Sequence, residues 1–393
     1  LALAGIVLFA FSLRSAVASL SPVVDHISAD FALPAAVVGL IGTIPPLCYA
    51  GFGIVTPLLE RRFGLEALAA AAMVVAAIGL GARGRVSDGV GLLVTTALTF
   101  AAVGVGNVLL PPLVKRHFPD RIGLMTAVYT ATMAASTFLP PLVAVPVADA
   151  VGWRVSLSSW AGFALVAAVP WFVLVMRERP VPTDVERVEP RALRRMPGLP
   201  MTWALTAGFV VSSTFAYTTF AWLPAILVDV AGVLPATAGG LLSLSAMVGL
   251  PSALLVPLLV VRWHAVRAVF VVSIAAGLVG VGGLLVAPAF APWLWAAGLG
   301  LTCAIFPLTL VLVSVRSRTP EGAVALSGFV QSVGYGITAA FPLGIGLLHD
   351  ATGSWTGPLL VLAVVVLAAV PALFVASRPH TVEDEWERRH GAW

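Results

Sequence analysis

The chain has 393 residues, of which 60% are hydrophobic and 10% are charged, and its mean hydropathy is +1.03. Soluble domains carry roughly 25% charged residues, so this composition excludes a cytosolic enzyme and a disordered protein. The formal net charge is +4, but the basic residues lie between apolar runs. That arrangement indicates membrane topology signals and not a nucleic-acid-binding surface.

Apolar runs follow one another along the whole chain. A bilayer-spanning helix needs about 20 apolar residues, so we predict an all-α integral membrane protein with twelve transmembrane helices. The chain begins at Leu1 and not at methionine, so we expect further residues before it. The first run is too long for a removable signal peptide. The predicted spans are residues 1–22, 35–59, 67–82, 89–114, 122–147, 155–176, 201–227, 237–261, 268–287, 293–315, 323–348 and 357–376.

The positions of lysine and arginine predict the orientation of these spans. Three basic residues, Arg83, Arg85 and Arg154, fall in loops on one side of the membrane. Basic residues concentrate in cytoplasmic loops, so we predict that both termini are cytoplasmic and that the protein lies in the inner (cytoplasmic) membrane. Eighteen of the 22 basic residues fall on the opposite side, in residues 60–66, 115–121, 177–200, 262–267, 316–322 and 377–393.

The two halves of the chain repeat one another at an offset of about 201 residues. We predict an N-terminal six-helix bundle at 1–176, a linker at 177–200, a C-terminal six-helix bundle at 201–376 and a cytoplasmic tail at 377–393. Two parallel six-helix repeats are typical of the major facilitator superfamily. Residues paired by the offset include Pro34 with Pro235, Pro119 with Pro320, Pro141 with Pro342, Asp149 with Asp350, and Gly152 with Gly353.

Arg14 is the only Asp, Glu, Lys, Arg or His inside the predicted spans. It lies about 18–20 Å along the first helix from Leu1, where a guanidinium costs from about 3 to more than 10 kcal/mol. The spans offer it no carboxylate, so we expect it to bind an anion or a strong acceptor in a central cavity. The alternative is that Arg14 binds backbone carbonyls at a helix break. Phe11, one turn earlier on the same face, forms an apolar cavity wall or packs in the core.

Few other polar side chains lie within the spans. The chain has one Asn and one Gln, and all of its tyrosines fall inside spans, where each hydroxyl needs a polar partner. We expect these groups to contact a solute, with hydrogen bonds between helices as the alternative. They are Asn107, Gln331, Tyr49, Tyr129, Tyr217 and Tyr335.

The eleventh span presents two different faces. Gln331 and Tyr335 are four residues apart and share one face, which we expect to line the cavity. A second face consists of small residues and suits close packing between helices. Its residues are Gly328, Ser332 and Gly336.

The first and fourth spans also carry a family resemblance. Residues 11–24 read FSLRSAVASLSPVV, and residues 104–119 read GVGNVLLPPLVKRHFP. Both resemble the cyanate/2-nitroimidazole permease family of the major facilitator superfamily, whose patterns are LR-x-A-x-x-S-x-x-P and GN-x-LLP-x-x-x-K-x-x-FP. The resemblance implies transport of a small anion or a compact heteroaromatic nitro compound. The matching residues are Arg14, Ala16, Ser19 and Pro22, and then Asn107, Leu109, Leu110, Pro111, Lys115, Phe118 and Pro119.

We therefore predict a secondary transporter that moves a small anion or a compact, planar, acceptor-rich solute by alternating access. A polyspecific drug exporter of the same fold is the alternative, although an exporter of cations would want an acid within the spans. The chain lacks the carboxylate pair, histidine cluster or large outer domain of a membrane enzyme or receptor. The expected solute-binding residues are Arg14, Phe11, Tyr49, Asn107, Tyr129, Tyr217, Gln331 and Tyr335.

The expected partners are a small-molecule solute and the lipid bilayer. We expect a monomer that binds no nucleic acid, metal or cofactor, and we expect Cys48 and Cys303 to be small apolar fillers. The sequence leaves uniport, anion exchange and proton symport as alternatives. A coupled proton could use Asp25, Asp30 or the solute itself.

Overall fold

A computed structural model describes residues 1–177 and 190–391, with their side chains except at positions 53, 54, 57, 61, 122, 123, 126, 127, 190, 191, 320 and 321. All regular structure in these ranges is helical, and it provides twelve stretches long and apolar enough to span a membrane. The predicted all-α fold with twelve spans is therefore confirmed. Residues 178–189 of the predicted linker 177–200 lie outside the described part of the chain.

Six spans come from each half of the chain. The first half contains α1 (Ala2–Ala18), α2 (Val24–Ser28), α3 (Ala35–Phe63), α4 (Leu65–Arg83), α5 (Gly89–His117), α6 (Ile122–Val151) and α7 (Trp153–Arg177). The second half contains α8 (Pro190–Arg195), α9 (Pro200–Ala231), α10 (Pro235–Met247), α11 (Gly249–Trp263), α12 (Val266–Val286), α13 (Pro292–Thr302), α14 (Ile305–Val315), α15 (Pro320–Thr338), α16 (Ala340–Thr352), α17 (Thr356–Leu367), α18 (Ala369–Ala376) and α19 (Val382–His390).

Five spans are interrupted, and each interruption lies just before a proline. Proline has no N–H to donate to the carbonyl four residues earlier, and its ring clashes with that carbonyl. Proline alone does not force a break, since Pro111 and Pro170 lie inside unbroken helices. The last helical residue and the following proline are Ala18 and Pro22, Met247 and Pro251, Thr302 and Pro307, Thr338 and Pro342, and Leu367 and Pro371.

The start of the first span and the end of the last span lie at the same end of the molecule, here called the termini side; the opposite end is the far side. On the far side, α3 packs tightly against α16. A Cβ added at Gly39 would lie 2.8 Å from the Cα of Leu343 and 2.9 Å from the carbonyl oxygen of Pro342. The Thr43 hydroxyl donates to the carbonyl of Ala339 at 2.8 Å.

The helices α6 and α10 form a second contact between the halves on the far side. A Cβ added at Gly239 would lie 2.9 Å from the carbonyl oxygen of Pro141. The Ser243 hydroxyl donates to the carbonyl of Phe138 at 2.5 Å. Glycine therefore lets the backbones of the two halves meet directly at two places on this side.

Two charged residues occupy positions that the sequence did not predict. Arg83 was expected in a loop, but it is the last residue of α4 and is 1% exposed. Glu66 was expected outside the spans, but it lies buried in the first turn of α4, within 2.9 Å of Arg116 and 3.1 Å of His117. A span predicted from hydropathy ends at the first charged residue, whereas the helix in the structure continues through that residue. The expectation that Arg14 is the only ionisable residue within the spans is therefore wrong.

The segment after the last span is folded against the termini side. Thr381 and Asp384 form a capping box at the start of α19. The buried carboxylate of Glu383 accepts the backbone N–H groups of Arg318 at 2.9 Å and of Thr319 at 3.1 Å. Hydrogen bonding to Glu387 raises the pKa of Arg318. The segment 377–391 thus holds the beginning of α15 in place.

Candidate solute-binding site

The candidate site is built around Arg14, near the middle of α1. Its side chain is partly exposed, and its guanidinium carbon lies 6.0 Å from the centre of the Tyr49 ring on α3. Within the described residues Arg14 forms no ion pair. When no carboxylate of the protein pairs with a cation in a membrane span, that cation can still attract an anion that is not part of the protein.

Three tyrosines surround this guanidinium. The rings of Tyr49 and Tyr335 are 5.6 Å apart, those of Tyr217 and Tyr335 are 6.2 Å apart, and those of Tyr49 and Tyr217 are 6.3 Å apart. Tyr49 comes from the first half of the chain, whereas Tyr217 on α9 and Tyr335 on α15 come from the second. We call Arg14 and these three residues the tyrosine cluster.

The polar atoms of the tyrosine cluster are close to one another. The Tyr217 hydroxyl is within reach of the Arg14 guanidinium and of the Tyr335 hydroxyl. The buried Tyr49 hydroxyl faces Asn107 but has no hydrogen bond of good geometry within the described residues. The amide nitrogen of Asn107 donates instead to the carbonyl of Val103 at 3.1 Å. The carbonyl oxygen of Asn107 and the Tyr49 hydroxyl remain suited to a bound solute.

An aromatic side chain on α9 fixes the position of Tyr335. The Phe209 ring lies 4.8 Å from Tyr335 in an edge-to-face contact and 5.5 Å from Phe306. A Cβ added at Gly334 would collide with the Phe209 ring, so glycine is required for this contact. Sequence reasoning missed Phe209, because one more phenylalanine in an apolar helix gives no signal.

The structure does not bring Phe11 to the tyrosine cluster. Its ring packs 5.5 Å from Phe163 and 6.4 Å from Trp160, both on α7. Core packing was the alternative for this residue, and these contacts favour it. The ring of Tyr129 on α6 is half-buried and packs against the hydrophobic core.

The two faces of α15 differ from expectation. Gln331 donates to the hydroxyl of Ser327 on its own helix at 2.8 Å and is half-buried. The predicted packing stripe is wrong, because a Cβ added at Gly328 or Gly336 would meet nothing within 4 Å. Gly334 supplies the close approach instead. Small residues spaced four apart suit packing only where a neighbouring helix comes near.

Asp30 was one possible proton carrier, and the structure holds it in a polar contact at the far side. Trp153 donates to its carboxylate at 2.9 Å, and the Arg154 guanidinium forms a close ion pair with it. The hydrogen bond from Arg154 lowers the pKa of Asp30 below its ordinary range. A carboxylate that stays ionised is a poor proton carrier near neutral pH.

The site offers one permanent cation, three phenols and a carboxamide at mid-depth. Such a set can hold a compact molecule rich in hydrogen-bond acceptors between aromatic faces. No group of three His, Cys, Asp or Glu residues suited to a metal occurs in the described ranges. The cysteines Cys48 and Cys303 are free and partly buried.

The sequence is similar to known proteins over most of its length. The family model of the Major Facilitator Superfamily matches residues 4–342. The 2-nitroimidazole transporter of Escherichia coli (strain K12) is 33% identical over 380 residues, which cover 95% of this chain and 93% of that protein. The cyanate transport protein CynX of the same organism is 25% identical over 354 residues, covering 89% and 90%.

A solved structure supports the same fold. A bacterial homologue of the human lysosomal transporter Spinster, in an inward-facing and unoccupied conformation, aligns with a TM-score of 0.73. The alignment covers 98% of this chain and 97% of that chain at 15% sequence identity. At this identity the likeness concerns the fold alone.

Proposed function

Because this chain belongs to the major facilitator superfamily, we propose that it is a secondary transporter that carries a small anion or a compact, planar, acceptor-rich solute. The relatives described above are transporters, so the chain is a membrane transporter of this superfamily. The resemblance seen at residues 11–24 and 104–119 is thereby confirmed. The solute class and the mechanism are our proposal.

One observation carries the proposal, namely Arg14 beside three tyrosines and without a carboxylate partner in the described part of the chain. An arginine cannot lose its charge at any ordinary pH. An anionic or acceptor-rich solute would replace the missing partner and accept two hydrogen bonds from the planar guanidinium. The phenols would then orient the solute through their hydroxyls.

The names of two relatives narrow the class of solute that we propose. Cyanate and 2-nitroimidazole, which give two relatives their names, are both compact and planar or linear molecules rich in acceptors. Those names describe those proteins. They support the same class of solute here because the tyrosine cluster presents a cation and donors and no acid.

We further propose that the solute crosses by alternating access between bundles formed by residues 1–176 and 201–376. The tyrosine cluster joins helices from both bundles, so a bound solute would contact both. The imbalance of basic residues supports a cytoplasmic termini side. With that orientation, the glycine contacts on the far side support an inward-facing arrangement that is closed to the outside.

Thermal stabilisation of the purified protein tests the proposed solute class. The panel contains cyanate, nitrate, 2-nitroimidazole and small carboxylates, with lipophilic cations as the contrasting class. We expect saturable stabilisation by one or more members of the first group, since binding to the folded state raises the melting temperature. The Arg14→Ala variant is the matched control and should lose that response.

The alternative function gives a different pattern in the same panel. A polyspecific exporter would respond to many lipophilic compounds, and the response would not depend on Arg14. A response restricted to lipophilic cations would overturn the proposal.

A further inference from the structure

A second arginine lies between the tyrosine cluster and the far side, and this one is buried. Arg83 at the end of α4 is fully buried, and its guanidinium carbon lies 5.3 Å from the Phe100 ring centre. One nitrogen, Nη1, donates to the carbonyl of Ala16 at 2.9 Å. The other two donor nitrogens, Nε and Nη2, have no hydrogen-bond partner within the described residues.

Arg83 lines a small, partly open cavity of about 30 Å³. Ser21 lines the same cavity, and its buried hydroxyl also lacks a partner within the described residues. Three donor groups without acceptors therefore belong to two residues that line the same small pocket. Phe100 and Phe220 contribute apolar walls.

Burial of a guanidinium without a counter-charge is expensive. Breaking a buried ion pair by removing one partner destabilises proteins strongly, because the remaining charge is not compensated. The carbonyl of Ala16 satisfies one donor but supplies no charge. No carboxylate forms an ion pair with Arg83 in the ranges that the structure describes. An anion in the cavity would supply the missing charge and the missing acceptor together.

The volume limits the size of that anion. A cavity of about 10–15 Å³ already holds one water molecule, so a cavity of about 30 Å³ suits a halide-sized inorganic anion better than a heteroaromatic solute. We propose that Arg83 and Ser21 form a binding site for a halide-sized inorganic anion, separate from the solute site at Arg14.

Tyr217 lies between the two sites. It lines the Arg83 cavity, and its hydroxyl is within reach of Arg14. The site at Arg83 uses different donors from the solute site. Its occupancy should therefore survive removal of Arg14, which separates its test from the test of the proposed function.

The test uses bromide as the probe with the purified protein in a buffer whose only other anion is gluconate. Thermal stability is followed during a bromide titration for the wild type and for Arg14→Ala, Arg83→Gln, Ser21→Ala and Arg85→Gln. Arg85 is an exposed arginine two residues from Arg83, so Arg85→Gln is matched for the loss of charge. Anomalous diffraction from a bromide-soaked crystal of the wild type locates the ion directly.

We expect saturable stabilisation by bromide in the wild type, in Arg14→Ala and in Arg85→Gln, and its loss in Arg83→Gln. Ser21→Ala should weaken bromide binding about tenfold, the effect of losing one hydrogen bond to a charged group. This variant keeps the cation and remains informative if Arg83→Gln does not fold. An unchanged titration in Ser21→Ala and Arg83→Gln, or an anomalous peak only beside Arg14, would overturn the proposal.

Discussion

The two halves of the chain share a fold but differ in where they hold charge. At the offset of 201 residues, Arg14 corresponds to Phe215 and Arg83 corresponds to Leu284. Phe215 and Leu284 are both fully buried. The first half therefore contributes a partly exposed cation, Arg14, and a buried one, Arg83, at positions where the second half contributes core packing.

Other features recur in both halves. Gly152 and Gly353 have positive φ values of 88° and 62°, a backbone conformation that favours glycine, and each precedes a span. On the far side, an indole donates to a carboxylate at 2.9 Å in each half. These pairs are Trp153 with Asp30 and Trp355 with Asp229.

This comparison separates the features that both halves share from those that differ between them. The turns and far-side contacts recur, whereas the centre, where we propose that the solute binds, differs between the halves. The cation of the tyrosine cluster comes from the first half, and two of its three phenols come from the second. A solute held by both kinds of group would link the two bundles.

The largest effect should follow from loss of the cation in the first half. We expect Arg14→Ala to lower solute affinity at least a hundredfold, measured by isothermal titration with the best compound of the thermal panel. Arg14→Lys should recover little, because an ammonium is a point charge and cannot reproduce the planar fork. Expression and monodispersity should remain near normal, because removing an uncompensated cation relieves a desolvation cost.

Arg85→Ala removes an exposed arginine and is the control for this measurement. Solute affinity that stays unchanged in Arg14→Ala would show that the difference in charge between the halves has no role in binding.

A smaller effect should follow from removal of a hydroxyl contributed by the second half. Tyr335→Phe keeps the ring and its contact with Phe209. We expect it to weaken solute binding about tenfold, since a hydrogen bond to a charged solute contributes about 1.5–3 kcal/mol.

We also expect Gln331→Ala to weaken binding, by less than Tyr335→Phe because Gln331 already bonds Ser327. Ser332→Ala is the control on the same helix and should leave affinity unchanged. If Tyr335→Phe behaves like Ser332→Ala, the second half provides only packing at the site.

The smallest effects should come from the recurring contacts on the far side. Trp153→Phe and Trp355→Phe each remove one indole hydrogen bond, and each should lower stability by about 1 kcal/mol. Scanning fluorimetry should show similar falls in melting temperature for both and almost none for the exposed Trp293→Phe. A large effect in one half alone would show that the two pairs are not equivalent.

Most of the fold could be predicted from the sequence because length and hydropathy determine a spanning helix. The charges at span ends were harder to place. Arg83 and Glu66 interrupt the apolar runs, yet both belong to α4 and are buried by other helices. Only the three-dimensional packing shows that Arg83 reaches Ala16 on α1. The positions of the prolines can be read from the sequence, but only the structure shows which of them interrupt a helix.

Polar groups are rare enough within the spans to stand out in the sequence. Arg14, Tyr49, Tyr217 and Tyr335 lie together, as expected for polar groups that avoid lipid. The prediction for Phe11 used helical spacing alone. Spacing shows on which face of the helix a residue lies, but it does not show which helix packs against that face. Apolar residues are common in the spans and do not stand out, so only the structure shows which of them surround the site.

The charge of Arg14 also bears on how a transporter of this kind responds to membrane voltage. One elementary charge that crosses a potential of 100 mV changes energy by about 2.3 kcal/mol. If a monoanion binds at the tyrosine cluster as proposed, its charge would cancel that of Arg14, and the loaded site would be electrically neutral. The empty site keeps its positive charge. The membrane voltage would therefore act on the step in which the empty carrier returns. The dependence of the transport rate on membrane potential would then report the fraction of the electric field that Arg14 experiences.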